Sequence, residues 1–96
     1  MKQEQLEQLE NGTLLVIDGT GAFGKEHKVI RFNKQDLWTG NHKGYYYGAL
    51  YPFAWLKLAT EKDLQDEIEK AERQARLRVE ALKEAYEKTK KFRGLK

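Results

Sequence analysis

The sequence of 96 residues contains no cysteine, one proline and two histidines. Without cysteine there is no disulfide framework, zinc–thiolate site or thiol nucleophile, and a reducing compartment, the cytoplasm, fits the composition best. The longest apolar runs, such as residues 14–17, are far too short to cross a bilayer. The first ten residues are polar and do not have the pattern of a signal peptide. We therefore expect no membrane partner.

An excess of charge of one sign is also lacking, since 18 Lys and Arg residues stand against 15 Asp and Glu residues. A net charge of +3 permits nucleic-acid binding without demanding it, and it argues against an acidic mimic of DNA. A hydrophobic content of 40% suits a globular core, and a chain of this length supports one small domain, spanning residues 1–96.

Candidate catalytic groups are few as well. His27 and His42 are the only histidines, and a metal site built on them would need carboxylates brought in by folding. Histidines at a surface or in ordinary hydrogen bonds are more common than such sites. The sequence therefore predicts neither an enzyme nor a bound cofactor or metal.

The most strongly patterned segment spans residues 60–91. Thr60 is suited to cap a helix, with Asp63 in the position of its capping-box partner. No glycine or proline follows until Gly94, and apolar residues recur at spacings of three and four, namely Leu64, Ile68, Ala71, Ala75, Val79, Leu82 and Tyr86. The pattern predicts one continuous helix of roughly 45 Å, followed by a basic tail at 92–96. A helix of this length would project beyond the domain, as a solvated arm or against a partner helix.

Upstream of this helix the sequence predicts mainly strands. Leu6 and Leu9 favour a short helix within residues 1–11, with a frayed tail as the alternative. Residues 12–59 form a β region, in which strands separated by glycine-rich or polar turns are expected at 13–18, 27–32, 45–50 and 53–58. The expected fold is α+β, with a small antiparallel β-meander or an SH3-like partial barrel of three to five strands before the long helix.

A glycine-rich loop, Gly-Thr-Gly-Ala-Phe-Gly-Lys at 19–25, joins the first two predicted strands. It matches G-x-G-x-x-G and part of a phosphate loop, but Glu26 stands where Ser or Thr would ligate magnesium, and a strand follows instead of a helix. In this setting it resembles the glycine-rich loop of protein kinases, although the chain has no H-R-D or D-F-G motif. We interpret it as a hairpin turn whose glycines allow positive φ.

A second short match is the segment Gly-Ala-Leu-Tyr-Pro-Phe at 48–53, which is similar to the A-L-Y motif of signalling SH3 domains. In those domains the motif lies at the start, whereas here it closes the β region and leads into the helix. The resemblance implies no more than a related small barrel.

The clearest functional signal is the interleaving of aromatic and basic residues between positions 31 and 57. If Tyr46 faces the core, Tyr45 and Tyr47 face outwards. Exposed Tyr and Trp suit base stacking and protein-binding hot spots alike, and the alternative is that these rings only cover the core. The residues expected to bind a partner, on these strands and at the cationic end of the helix, are Trp38, Lys43, Tyr45, Tyr47, Tyr51, Lys88, Lys90, Lys91 and Arg93.

These features favour a small non-enzymatic protein-binding module, an accessory or inhibitory protein that docks on a larger partner through its aromatic sheet face and its long helix. Virus-encoded inhibitors of host proteins offer an analogy in size and composition. The alternative is a DNA- or RNA-binding protein that uses the basic end of the helix and the Tyr/Lys-rich strand. A third expectation is a homodimer through the C-terminal helix.

Overall fold

The computed structural model describes residues 1–21, 24–73 and 76–94. Three α-helices are described, α1 (Gln3–Glu7), α2 (Glu61–Glu72) and α3 (Arg76–Gly94). The described strands are β1 (Leu14–Gly21), β2 (Gly24–Arg31), β3 (Leu37–Trp38), β4 (Gly44–Tyr46), β5 (Leu50–Tyr51) and β6 (Leu56–Leu58). The predicted α+β class, the short N-terminal helix and a long C-terminal helix are confirmed. The six strands exceed the predicted three to five, because the β region breaks into several strands of two or three residues.

The strands form two three-stranded antiparallel sheets, ordered β2-β1-β6 and β3-β4-β5. Strand β6 returns to pair with β1, which places Leu58 opposite Leu15 and Leu56 opposite Ile17. The last strand therefore lies beside the first, which is typical of a partial barrel. In a simple meander each strand would pair only with its neighbours in the sequence.

Strand β1 is covered on both faces, as its unbroken apolar run predicts. Leu15 and Ile17 lie in a first core, which also contains Leu6 and Leu9 of the N-terminal segment. Leu14 and Val16 point the opposite way, into a second core formed with α2 and α3. Alternation along a single strand thus joins the two halves of the domain.

The glycine-rich segment forms part of the β1–β2 hairpin, but its glycines differ in role. Gly24 has φ +109°, a conformation that favours glycine. Gly19 does not have positive φ, yet a Cβ there would lie 2.2 Å from the indole ring of Trp55. The expectation that these glycines all allow positive φ is therefore wrong for Gly19. At that position glycine is needed because the Trp55 ring packs against the backbone. Residues 22 and 23 lie outside the described residues.

The helical region begins as predicted. Thr60 Oγ1 accepts a hydrogen bond from the Asp63 amide at 3.2 Å, and an Asp63 carboxylate oxygen accepts one from the Thr60 amide at 2.8 Å. These two bonds form the reciprocal capping box. Each satisfies an amide that has no partner inside the helix.

The predicted single helix over 60–91 is wrong, because α2 ends at Glu72 and α3 begins at Arg76. Near the end of α3, an Arg93 guanidinium nitrogen lies 2.6 Å from the Ala59 carbonyl oxygen, just before α2 begins. The two helices are therefore antiparallel and pack against each other. Ala75, which was assigned to the apolar stripe, lies outside the described residues.

The second half of the helical region does not project from the domain. Its apolar residues Val79, Leu82 and Tyr86 are buried in the second core, together with Leu64 and Ile68 of α2. Burying these side chains stabilises the folded chain by about 25 cal/mol per Å² of apolar area, a gain that a straight helix would forgo. The predicted basic tail is also partly helical, since α3 continues to Gly94 and Phe92 is buried in the first core.

Candidate interaction surface

The outer face of the second sheet carries a patch of three exposed apolar side chains, Trp38, Tyr46 and Leu50, which we call the aromatic patch. The register pairs Trp38 with Gly44 and Tyr46 with Leu50, so all three side chains point to the same side. The Trp38 and Tyr46 ring centroids are 6.4 Å apart. Their exposed fractions are 56% and 48%, and that of Leu50 is 43%.

Gly44 leaves the space that the Leu50 side chain of the patch occupies. A Cβ at this position would lie 2.9 Å from Leu50 Cγ and 2.7 Å from the Tyr51 carbonyl oxygen. Because Gly44 has no side chain, Leu50 leans across it, and Gly44 itself is buried. The patch therefore depends on a glycine that the sequence analysis assigned only to a turn.

Residues beside the patch are polar or cationic. Lys43 and His42 are exposed in the turn that precedes β4, and Lys43 stands next to Gly44 in the chain. Tyr47 follows β4 and is 46% exposed, as expected, with its amide bonded to the Ala49 carbonyl oxygen at 2.9 Å. Of the predicted surface residues on the strands, Trp38, Lys43 and Tyr47 are thus accessible.

The expectation that Tyr45 faces outwards is wrong. Its side chain is fully buried in the first core, where its ring stacks on Phe32 with centroids 5.7 Å apart. Its hydroxyl oxygen accepts a hydrogen bond from the Asn33 amide at 2.9 Å. Burial raises the pKa of the Tyr45 phenol above its usual range. Tyr45 therefore holds the strand in place and presents no surface to a partner.

Tyr51 is also a core residue, because the register aligns it with Tyr45 and Leu37 on the inner face of the same sheet. It is buried, and its ring lies 6.0 Å from that of Trp55. Side chains do alternate between the two faces of β4, as predicted. The outward placement of Tyr45 required Tyr46 to face the core, but Tyr45 faces the core and Tyr46 is the tyrosine of β4 that faces solvent.

The cations at the end of α3 are bound to the chain itself. Lys88 Nζ donates to the Asn11 carbonyl oxygen at 2.8 Å, and Arg93 donates to the carbonyl oxygens of Leu58 and Ala59. Lys91 pairs with Glu10 at 3.4 Å. These contacts fasten the end of α3 to the N-terminal segment and to the end of β6.

Lys90 is engaged as well. Its ammonium lies 2.8 Å from a Glu87 carboxylate oxygen and 5.7 Å from the centroid of the Tyr86 ring. The hydrogen bond with Glu87 raises the pKa of Lys90. The four predicted cationic site residues thus each have at least one acceptor within the fold.

His27 lies between two carboxylates. Its ring nitrogens are 3.8 Å from Asp18 and 3.3 Å from Asp63. Asp18 also accepts a hydrogen bond from Lys57, which lowers the pKa of its carboxyl. Within residues 1–21, 24–73 and 76–94, no group of three or more potential metal ligands comes together.

A groove of about 370 Å³ lies between strand β2 and the helical pair, and residues of both line it. Val29 and Arg31 line it from β2, Tyr47 from the segment after β4, Glu67 from α2, and Arg78 and Leu82 from α3. Mixed charges and an open mouth distinguish it from the mostly apolar, concave sites that bind small molecules. We consider it part of the surface that flanks the edge of β2.

Comparison of the chain with known protein families, with curated proteins and with solved structures finds no match. Among the described helices, none combines the length and the apolar character needed to cross a bilayer.

Proposed function

We propose that the protein is a non-enzymatic protein-binding module, an accessory or inhibitory protein that docks on a larger partner through the aromatic patch. The observation that carries the proposal is that Trp38, Tyr46 and Leu50 are exposed side by side, while Tyr45 and Tyr51 of the same strands are buried. Contiguous exposed apolar side chains, unlike isolated ones, mark interaction surfaces.

The patch has the physical character of a binding hot spot. Trp and Tyr are the residue types most enriched among side chains that dominate binding energy. Trp38 and Tyr46 stand on paired strands and contact each other, so docking would immobilise few additional rotatable bonds. Lys43 and His42 would supply a polar rim. The absence of cysteine supports the cytoplasm as the setting for this function.

Nucleic-acid binding is a second candidate function, favoured by the exposed Trp38–Tyr46 ring pair beside Lys43, since bases stack on such rings. The end of α3 does not support this candidate, because Lys88, Lys91 and Arg93 bind oxygen atoms of the chain itself. The net charge of +3 gives only a modest overall attraction for a polyanion. Protein binding therefore has the stronger physical support.

Affinity purification from cell extract, with and without nuclease, tests the proposal. We expect the wild-type chain to retain a stoichiometric protein after nuclease treatment, and Trp38→Ala to lose it. Leu77→Ala is the matched control, because Leu77 is an 81% exposed apolar residue of α3, outside the patch. A partner that disappears with nuclease would favour the nucleic-acid candidate. A protein retained equally by Trp38→Ala would contradict docking at the patch.

A further inference from the structure

The two outer edges of the first sheet differ. At the β6 edge, the N-terminal ammonium donates to the Leu56 carbonyl oxygen at 2.6 Å, and Arg93 donates to the Leu58 carbonyl oxygen at 3.3 Å. Both carbonyls point away from β1, as the bond from the Ala59 amide to the Leu14 carbonyl oxygen requires. Two cationic groups thus cover the carbonyls that another strand would need.

At the β2 edge, the described residues form no hydrogen bond to the outward-facing amides and carbonyls of Lys25, His27 and Val29, whereas the Arg31 carbonyl at the end of the strand accepts one from the Tyr45 hydroxyl at 3.5 Å. The bond from the Phe32 amide to the Thr13 carbonyl oxygen sets the alternation of the β1–β2 ladder. By that alternation, the amides and carbonyls of Lys25, His27 and Val29 point away from β1. Among the described strands, β2 pairs with β1 alone. Strand β2 therefore presents an edge that can accept a further strand.

We infer that this edge binds the β2 strand of a second copy of the chain, in an antiparallel homodimer. The register is fixed by chemistry: His27 lies opposite His27 of the second copy, Glu26 lies opposite Lys28, and Lys25 lies opposite Val29. This register pairs residues whose amides and carbonyls all point outwards, so the hydrogen-bonding pattern is consistent. It also forms two symmetry-related Glu26–Lys28 pairs across the twofold axis.

Neighbouring registers are opposed by charge. The nearest alternative registers arise when one strand slides by two residues relative to the other. A slide in one direction sets Lys28 opposite Lys28, and a slide in the other direction sets Glu26 opposite Glu26. Like charges directly opposite each other destabilise a strand pair. Charged residues on an edge strand commonly prevent promiscuous pairing, and here the same charges permit one self-complementary alignment.

The side chains of Glu26, His27 and Lys28 are partly exposed at this edge. The side chains of Lys28 and His27 are 50% and 52% exposed, and that of Glu26 is 38% exposed. Glu26 Oε2 is buried and accepts no hydrogen bond within the part of the chain that the structure describes, and it lies 3.9 Å from Lys28 Nζ of the same strand. Lys28 Nζ donates to the Tyr51 hydroxyl at 3.3 Å, so the pairs across the twofold axis require both side chains to turn towards the second copy. The groove beside Val29 leaves space on the helix side of the edge.

Charge exchange tests the pairing by sedimentation velocity across a concentration series. The wild-type chain should be a dimer. The charge reversals Glu26→Lys and Lys28→Glu should each give a monomer, because like charges then face each other across the pair. An equimolar mixture of the two variants should dimerise, since each introduced charge meets its opposite. Lys25→Glu is the matched control and should remain dimeric, because that position faces Val29.

Cysteine cross-linking tests the register in a chain that has no cysteine of its own. Directly opposite residues in a hydrogen-bonded pair have Cα atoms about 5.5 Å apart, within disulfide range. Under mild oxidation, His27→Cys should therefore give a covalent dimer and Lys25→Cys should not. A wild-type monomer at millimolar concentration would overturn the inference. So would a mixture of the charge variants that stays monomeric, or equal cross-linking from both cysteine positions.

Discussion

The hydroxyl oxygen of Thr89 on α3 lies 3.0 Å from both the amide nitrogen and the carbonyl oxygen of Leu14, the first residue of β1. It accepts a hydrogen bond from the amide, while the carbonyls of Leu14 and Ala85 compete for its single proton. Thr89 is fully buried. One hydroxyl thus joins the last helix to the central strand of the first sheet.

Replacement of Thr89 by Val should lower the free energy of unfolding by about 1–3 kcal/mol, because the shape is kept while the buried Leu14 amide loses its partner. Denaturant unfolding measures this change. Thr89→Ser is the matched control, since it keeps the hydroxyl and removes only a methyl group. If both variants lost the same stability, the hydrogen bonds would not be the source of the effect.

The sequence predicts some elements of this fold from local signals alone. The Thr60–Asp63 capping box and the strand around Leu15 depend on residues close together in the chain, and both were predicted. The reversal between Glu72 and Arg76 was not predicted, because no glycine or proline marks it. Its cause is non-local, since Val79 and Leu82 become buried only when α3 packs on α2 and β1.

The aromatic patch was predicted in part for a similar reason. Three consecutive tyrosines alternate with the same spacing whichever of them faces the core, so alternation cannot decide the phase. The phase is decided by partners distant in the sequence, namely the Phe32 ring and the Asn33 amide that Tyr45 contacts. Trp38 was identified as a surface residue, whereas Tyr46 and Leu50 were missed.

Gly19→Ala should lower the free energy of unfolding by about 1–3 kcal/mol, because the added methyl group meets the Trp55 ring in a packed region. Thermal unfolding measures the loss. Gly40→Ala is the matched control, since a Cβ there has no neighbour within 4 Å. In a Trp55→Ala background the Gly19→Ala penalty should shrink, and a penalty that is unchanged in that background would contradict the ring contact.

Stability should decline at alkaline pH in a way that depends on Tyr45. Burial raises the pKa of this phenol in the folded chain, so above pH 10 or so the unfolded chain ionises first, which lowers its free energy relative to that of the folded chain. Stability is therefore fully present below that pH and is lost as pH rises through the folded-state pKa. Raised pKa values at Lys28 and Lys90 act in the same direction.

Tyr45→Phe checks this assignment when the free energy of unfolding is measured from neutral to alkaline pH. The variant should be less stable than the wild type at neutral pH by about 1 kcal/mol, because the Asn33 amide loses its acceptor. Its decline above pH 10 or so should be shallower, with Lys28 and Lys90 contributing to the residual slope. An unchanged alkaline slope would remove Tyr45 as a cause.

Site-specific photo-cross-linking in cell extract tests the docking proposal most directly. A photoreactive residue is placed at position 38 in the aromatic patch, and at position 77 on α3 as the exposed control. We predict a discrete protein adduct from position 38, resistant to nuclease, and no such adduct from position 77. An adduct from position 77 alone, or a nuclease-sensitive adduct from position 38, would contradict the account.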